Sequence, residues 1–143
     1  MLALTKLLSL TKWVDAPARG LMSLLFLISG VGKLAAVVPT QAFMEHYGVP
    51  GVLIWPAAAW EIGGGILLLT GLWIRPLSIL LAGWCLLTAS IFHTAFGDPN
   101  QMVHFLKNMT MAGGFLILAR AGAPGLGFDG EFSPAKGLQR CET

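Results

Sequence analysis

Four long apolar stretches alternate with short polar segments along the chain. They cover about residues 21–38, 51–74, 76–96 and 103–121. Each stretch is long enough to cross a hydrocarbon core that requires about 20 residues of α-helix. The pattern predicts an all-α protein, a four-transmembrane-helix bundle within residues 17–123 that leaves no room for a soluble domain.

The composition agrees with this pattern. Of the 143 residues, 55% are hydrophobic and 11% are charged, whereas a soluble domain carries about 25% charged residues. The chain is therefore predicted to be a membrane protein surrounded by the lipid bilayer. Its formal net charge of +2 gives no reason to expect nucleic acid as a partner.

Residues 1–16 precede the first apolar stretch and combine several leucines with Trp13. Lys6 and Lys12 interrupt the leucines, and no small-residue cleavage site follows, so a cleaved signal peptide is not indicated. The pattern favours an amphipathic helical segment that lies in the headgroup region. Pro17 is expected to separate this interfacial segment from the first transmembrane helix.

The basic residues at or beyond the ends of the apolar stretches lie on one side of the predicted bundle. They precede helix 1, connect helices 2 and 3, or follow helix 4: Lys6, Lys12, Arg19, Arg75, Arg120, Lys136 and Arg140. The other two loops carry Glu45, His46 and Asp98 and contain no Lys or Arg. The positive-inside rule then places both termini in the cytoplasm, with residues 124–143 as a cytoplasmic tail.

Ionisable and amide side chains also occur inside the apolar stretches. Glu61 lies about 15 Å along helix 2 from its outer end. Lys33 lies near the outer end of helix 1, His93 near the end of helix 3, and Lys107 with Asn108 near the start of helix 4. In the predicted topology all five occupy the outer half of the bilayer. Because buried ionisable residues in membrane helices mark pathways or sites, we predict a polar pocket there.

The neighbours of Glu61 predict that its side chain points into the bundle. Small residues share its helical stripe: Ala57, Ala58, Gly64 and Gly65. Such residues line close helix contacts in membranes. A purely structural alternative stays open, in which Lys33 and Glu61 join two helices as an ion pair while His93 and Lys107 extend to the outer interface.

The cysteines and histidines do not predict a thiol or metal centre. Cys85 falls in the middle of helix 3 and Cys141 in the tail, with no CxxC motif, so a disulfide or thiol relay is not expected. A metal site from Glu61, His93 and His104 is disfavoured because Glu61 and His104 lie at different depths. No metal, haem or flavin site is predicted from the sequence.

Four stretches carry a further pattern through their order and spacing: "ARGLMSLLFLISGVGKL", "EHYGVP", "EIGGGILLLTGLWIRP" and "FHTAFGDPNQMVHFLKNMTMAGGFLIL". Together, over about residues 16–130, they resemble the DoxX family of small bacterial membrane proteins. The resemblance implies a four-helix membrane bundle in the bacterial inner (plasma) membrane. The family's polar positions correspond here to Lys33, Glu61, His93, Lys107 and Asn108.

Relatives in that family include a membrane subunit of thiosulfate:quinone oxidoreductase. The resemblance therefore implies a membrane subunit of a quinone-dependent oxidoreductase that is inactive alone and uses quinone as its cofactor. It also implies that the chain assembles with a protein partner subunit or forms a homo-oligomer. Lys33, His93 and Lys107 are expected to offer hydrogen bonds or positive charge to the quinone oxygens, with Asn108 as a further ligand-binding residue. Glu61 is expected to carry the accompanying proton, so Glu61 and His93 are the predicted catalytic residues.

A non-enzymatic role stays open beside this one. The bundle would bind a lipid, a quinone or another small amphiphile, or would anchor and assemble a partner complex in the membrane. The short loops agree with such a role because they leave no room for an active site outside the membrane. A proton-coupled transporter is disfavoured, since four spans without a visible repeat are few for a monomeric transporter.

Overall fold

The computed structural model describes residues 2–123 and 127–131, and the regular elements of this part of the chain are all helical. They are α1 (Leu2–Ala35), α2 (Val37–His46), a 3-10 turn (Gly51–Leu53), α3 (Ile54–Thr70), α4 (Ile74–Phe92), α5 (Pro99–Ala121) and α6 (Phe128–Glu131). The predicted all-α class is confirmed.

Four of these helical regions are long and apolar enough to cross a membrane. They are Val14–Ala35, Gly51–Thr70, Ile74–Phe92 and Pro99–Ala121. Each overlaps one of the predicted stretches, so the prediction of a four-helix membrane bundle is confirmed. The tail predicted for residues 124–143 lies outside the described residues except for residues 127–131.

The predicted helix break at Pro17 is wrong. Helix α1 runs without interruption from Leu2 to Ala35, with Pro17 inside it. A proline removes one backbone donor, but an ion pair spans the site, since Arg19 Nε lies 3.4 Å from Asp15 Oδ2 one helical turn away. That residues 1–16 lie in the membrane interface stays a prediction.

The transmembrane helices are arranged as two close pairs. Helix α1 packs along α3, and α4 packs along α5. Glycine permits the close approach of α1 to α3, because a Cβ atom on Gly30 would lie 2.7 Å from Ile62 Cγ1 and 3.1 Å from the Ala58 carbonyl oxygen. An edge-to-face contact joins the two pairs, with the rings of Phe26 and Phe115 5.5 Å apart.

The predicted inward stripe of α3 is also observed. Ala58, Glu61, Gly64, Gly65 and Leu68 are all buried, and Ala57, the other member of the stripe, is half-buried. Because the helical repeat places these positions on one face, the stripe directs Glu61 toward α1 and α4. Only 5% of its surface is exposed.

One end of the bundle carries α2, and we call it the α2 end. Here α1 and α4 finish and α3 and α5 begin. The rings of Phe43 and Tyr47 each lie 5.7 Å from that of Phe92, which connects α2 to the end of α4. Hydropathy did not predict α2, because a ten-residue helix is too short to register as a span.

At the opposite end, the chain near its C-terminus caps α4. Asp129 accepts hydrogen bonds from the backbone N–H groups of Trp73 (2.9 Å) and Ile74 (2.7 Å), and its own N–H donates to the Gly71 carbonyl (3.0 Å). Arg19, 1% exposed, lies beside the turn that these bonds hold. The carboxylate thus acts as the N-cap of α4, although it lies more than 50 residues away in the sequence.

Candidate functional site

A cavity of about 610 Å³ lies at the α2 end, between the α1–α3 pair and the α4–α5 pair. Its lining includes all five residues predicted to bind a ligand: Lys33, Glu61, His93, Lys107 and Asn108. Helix α2, missed by the sequence, contributes Thr40, Phe43 and Met44. Every helix from α1 to α5 therefore supplies part of the wall.

Glu61 is the acceptor in a hydrogen-bonded link across three helices. Lys33 on α1 donates from Nζ to Glu61 Oε2 at 2.6 Å, and Trp84 on α4 donates from Nε1 to Oε1 at 3.1 Å. Lys33 also donates to Ser29 Oγ at 2.8 Å. Both carboxylate oxygens are thus engaged, as a charge away from water requires. We call Ser29, Lys33, Glu61 and Trp84 the carboxylate link.

Trp84 was missed by the sequence analysis. Helical spacing predicts an inward stripe of Ala82, Leu86, Ala89 and His93 on this helix, which does not include Trp84. Ala82 and Ala89 are buried, but Leu86 is 44% exposed, so that part of the prediction is wrong. The usable signal was chemical, because a buried carboxylate needs more than one donor and an indole N–H is a donor that apolar surroundings tolerate.

A second polar group lies where α4 ends and α5 begins. His93 follows the last residue of α4, and its Nδ1 lies 2.8 Å from Gln101 Oε1. The His93 ring stacks on that of His104, with centroids 5.1 Å apart and planes 22° apart. Lys107 Nζ lies 3.3 Å from His104 Nδ1. We call His93, Gln101, His104 and Lys107 the histidine cluster.

Asn108 is held against the same turn of α5. Its Nδ2 donates to the His104 carbonyl oxygen at 2.9 Å. Two members of the histidine cluster were not predicted, since His104 was considered only in the disfavoured metal site and Gln101 was not indicated at all. For His104 the signal was helical spacing, because it lies three positions before Lys107 and four before Asn108. Gln101 is recognised only through its contact with His93, which the local sequence does not indicate.

The predicted site residues therefore share one cavity but form two groups. Within the described residues no hydrogen bond joins the carboxylate link to the histidine cluster. Charge divides them as well, since Lys33 is paired with Glu61, whereas no carboxylate of the described chain lies within 4.0 Å of Lys107. The cavity lining thus carries one cationic side chain without an ionic partner.

The side chains that most often bind metal ions in proteins are His, Cys, Asp and Glu. In the part of the chain that the structure describes, no group of three or more of these side chains is arranged to hold a metal ion. Cys85 lines the cavity and is buried, 3% exposed, as a free thiol.

Comparison with known proteins identifies the family. The DoxX family matches residues 14–94, which include Lys33, Glu61 and His93. Inner membrane protein YqjF of Escherichia coli K12 is 42% identical over 105 residues, covering 73% of this chain and 81% of that protein. Inner membrane protein YphA of the same organism is 34% identical over 120 residues, covering 78% and 85%. No solved structure matches significantly. With this match over more than half of its length, the chain belongs to the DoxX family and is an integral membrane protein.

Proposed function

We propose that the protein is a membrane subunit of a quinone-linked redox system and that a quinone headgroup binds in the cavity. The observation that carries the proposal is that Lys33, Glu61, His93, Lys107 and Asn108 all line one cavity. The inner-membrane names of the two relatives support the inner membrane as its location.

The cavity suits the size and character of such a ligand. Its volume of about 610 Å³ falls within the roughly 300–1,000 Å³ of small-molecule sites. Leu25, Phe26, Met44 and Ile91 supply apolar wall for a ring and the start of its tail. A headgroup with two oxygens then needs a few placed polar groups to orient it.

Two donors in the cavity lining, Lys33 and Lys107, are positively charged. Among the described residues Lys107 donates a side-chain hydrogen bond only to His104, and Lys33 uses two of its three N–H bonds on Ser29 and Glu61. A quinone takes up two electrons and two protons when it is reduced to a quinol. Ammonium groups near its oxygens stabilise the negative charge that develops during that change. The proposal assigns the electrons to a redox group on a partner protein.

A second candidate function is non-enzymatic, and the carboxylate link favours it. Both oxygens of Glu61 are occupied by donors from other helices, so this carboxylate acts as a connector of α1, α3 and α4. On this alternative the cavity holds an amphiphile or a lipid chain without chemistry, and Glu61 is not a proton carrier. The Glu61→Gln variant separates the two roles. If Glu61 only connects helices, the variant loses thermal stability but keeps any quinone-linked electron transfer.

The proposal is tested by mass spectrometry of gently solubilised protein. Wild type is expected to retain quinone at about one molecule per chain. Ala57→Phe places a ring into the cavity wall and is expected to release it. Ala59→Phe, on the exposed face of the same helix, is the matched control and should retain it.

Two results would overturn the redox proposal. Ordinary phospholipid without quinone in wild type would leave the protein as a lipid-binding or anchoring bundle. Equal quinone content in the Ala57→Phe and Ala59→Phe variants would show that the quinone resides outside the cavity.

A further inference from the structure

The contact between His93 and Gln101 determines which ring nitrogen of His93 carries the hydrogen. The Gln101 Oε1 atom only accepts, so the contact at 2.8 Å requires that His93 Nδ1 carries the hydrogen. In a neutral imidazole the other ring nitrogen is then an acceptor. No described residue donates to His93 Nε2, and His93 lines the cavity.

The neighbouring imidazole of His104 has the opposite arrangement, in which Nδ1 accepts a hydrogen bond. Lys107 has only donors, so the contact of its Nζ with His104 Nδ1 at 3.3 Å makes that nitrogen the acceptor. His104 Nε2 then carries the hydrogen. The two stacked rings therefore present one acceptor, on His93, and one donor, on His104, beside the ammonium group of Lys107.

We propose that Gln101 fixes His93 as the proton acceptor for a ring hydroxyl, so that the cavity recognises the hydroxylated, reduced form of its quinone ligand. This inference rests on the proposed function and names the redox form that the site selects. Gln101 acts as a positioning residue, because it touches His93 and does not line the cavity.

The proton step can be written at stated atoms. The lone pair of His93 Nε2 forms a bond to the hydroxyl hydrogen, the O–H bond breaks, and its electron pair stays on the ring oxygen. His93 becomes an imidazolium whose Nδ1–H still donates to Gln101 Oε1. Lys107, which has no carboxylate partner within 4.0 Å among the described residues, supplies positive charge for the oxygen. No electron leaves the ligand in this step.

The proton positions are tested without any ligand. In ¹⁵N-histidine NMR of the detergent-solubilised chain, His93 is expected to carry its hydrogen on Nδ1. Gln101→Leu removes the acceptor and should abolish this preference, whereas Gln101→Glu retains an acceptor and should preserve it. A wild-type His93 protonated on Nε2 contradicts the inference whatever the protein binds.

The selection of the reduced form is tested by anaerobic titration with decylubiquinol and decylubiquinone. Gln101→Leu is expected to weaken quinol binding about fivefold, the effect of one lost hydrogen bond, and to leave quinone binding unchanged. Gln101→Glu should restore quinol binding, and His46→Gln, outside the cavity lining, should alter neither.

The outcomes of the titration distinguish a failure of the inference about Gln101 from a failure of the proposed function. Equal weakening of both forms by Gln101→Leu assigns Gln101 a merely structural role and overturns the inference, while the proposed function survives. No binding of either form to wild type overturns the proposed function and the redox selectivity with it, and the NMR result then stands alone as a property of His93.

Discussion

At the scale of single residues, the ion pair between Lys33 and Glu61 is expected to be the strongest polar contribution to stability. Lys33→Ala leaves a carboxylate with 5% exposure supported by Trp84 alone. Loss of one partner of a buried pair costs about 3–5 kcal/mol. Because the Lys33 side chain is 25% exposed, we expect about 2–3 kcal/mol, measured by unfolding in mixed detergent.

The double replacement distinguishes a pair from two independent residues. Lys33→Ala combined with Glu61→Ala should cost less than the sum of the single changes by about 1 kcal/mol or more. Lys107→Ala is the control, because this cation lies in the same cavity and, among the described residues, its side chain makes a hydrogen bond only with His104. Strict additivity would show that the 2.6 Å contact contributes nothing to the fold.

The indole of Trp84 allows a sharper comparison. Trp84→Phe keeps an aromatic ring but removes the donor to Glu61 Oε1, so we expect a loss of about 1–2 kcal/mol of unfolding free energy. Trp60, whose ring lies 6.4 Å away, has a buried Nε1 without a hydrogen-bond partner among the described residues. Trp60→Phe therefore removes no hydrogen bond and should be nearly neutral. Equal losses for the two variants would assign the effect to ring size.

The residues of the site were only partly predictable, for a physical reason. Glu61 and Lys33 stand out because a charge in an apolar helix is costly and must face inward. Trp84 and Gln101 carry no such penalty, so their sequence positions do not reveal that they are partners. Their roles follow from contacts between helices, which periodicity within one helix cannot supply.

At the scale of helices, the cap that Asp129 places on α4 is expected to stabilise that helix alone. Asp129→Ala removes the carboxylate oxygens that accept from the N–H groups of Trp73 and Ile74. The change should lower the free energy of unfolding by about 0.5–2 kcal/mol, the range for N-caps. Hydrogen exchange is expected to accelerate at the first turn of α4.

A local cap provides the matched control. Asp98 precedes α5 and accepts from the Asn100 N–H at 2.9 Å. Asp98→Ala should accelerate exchange in the first turn of α5 and leave α4 unchanged. If Asp129→Ala instead accelerates exchange throughout the bundle, the contact holds the whole fold together and is more than a cap.

The elements themselves divide into those that hydropathy predicts and those that it does not. The four spans were predicted because each must satisfy its backbone within a helix in lipid. The ends were less certain, as α1 shows by continuing through Pro17. Helix α2 and the cap from Asp129 depend on contacts between residues distant in sequence. No local pattern of hydrophobic and polar residues predicts either of them.

At the scale of the whole molecule, the bundle has two unlike ends. The cavity, Glu45 on α2 and Asp98 at the start of α5 lie at the α2 end. Arg19, Arg75 and Arg120 lie at the other end. The distribution of arginine and lysine orients membrane proteins with basic loops in the cytoplasm. The cavity is therefore expected to lie toward the outer face of the membrane.

Labelling with a membrane-impermeant maleimide tests this orientation. In a Cys141→Ser background, the thiol introduced by His46→Cys on exposed α2 should react in intact spheroplasts. The remaining thiol, Cys85, is buried and should not react. In the chain with its own cysteines, Cys141 should react only after lysis. The reverse pattern would place the cavity toward the cytoplasm. The side matters to the proposed chemistry, because protons that His93 exchanges would then pass to the cytoplasm and not to the outer compartment.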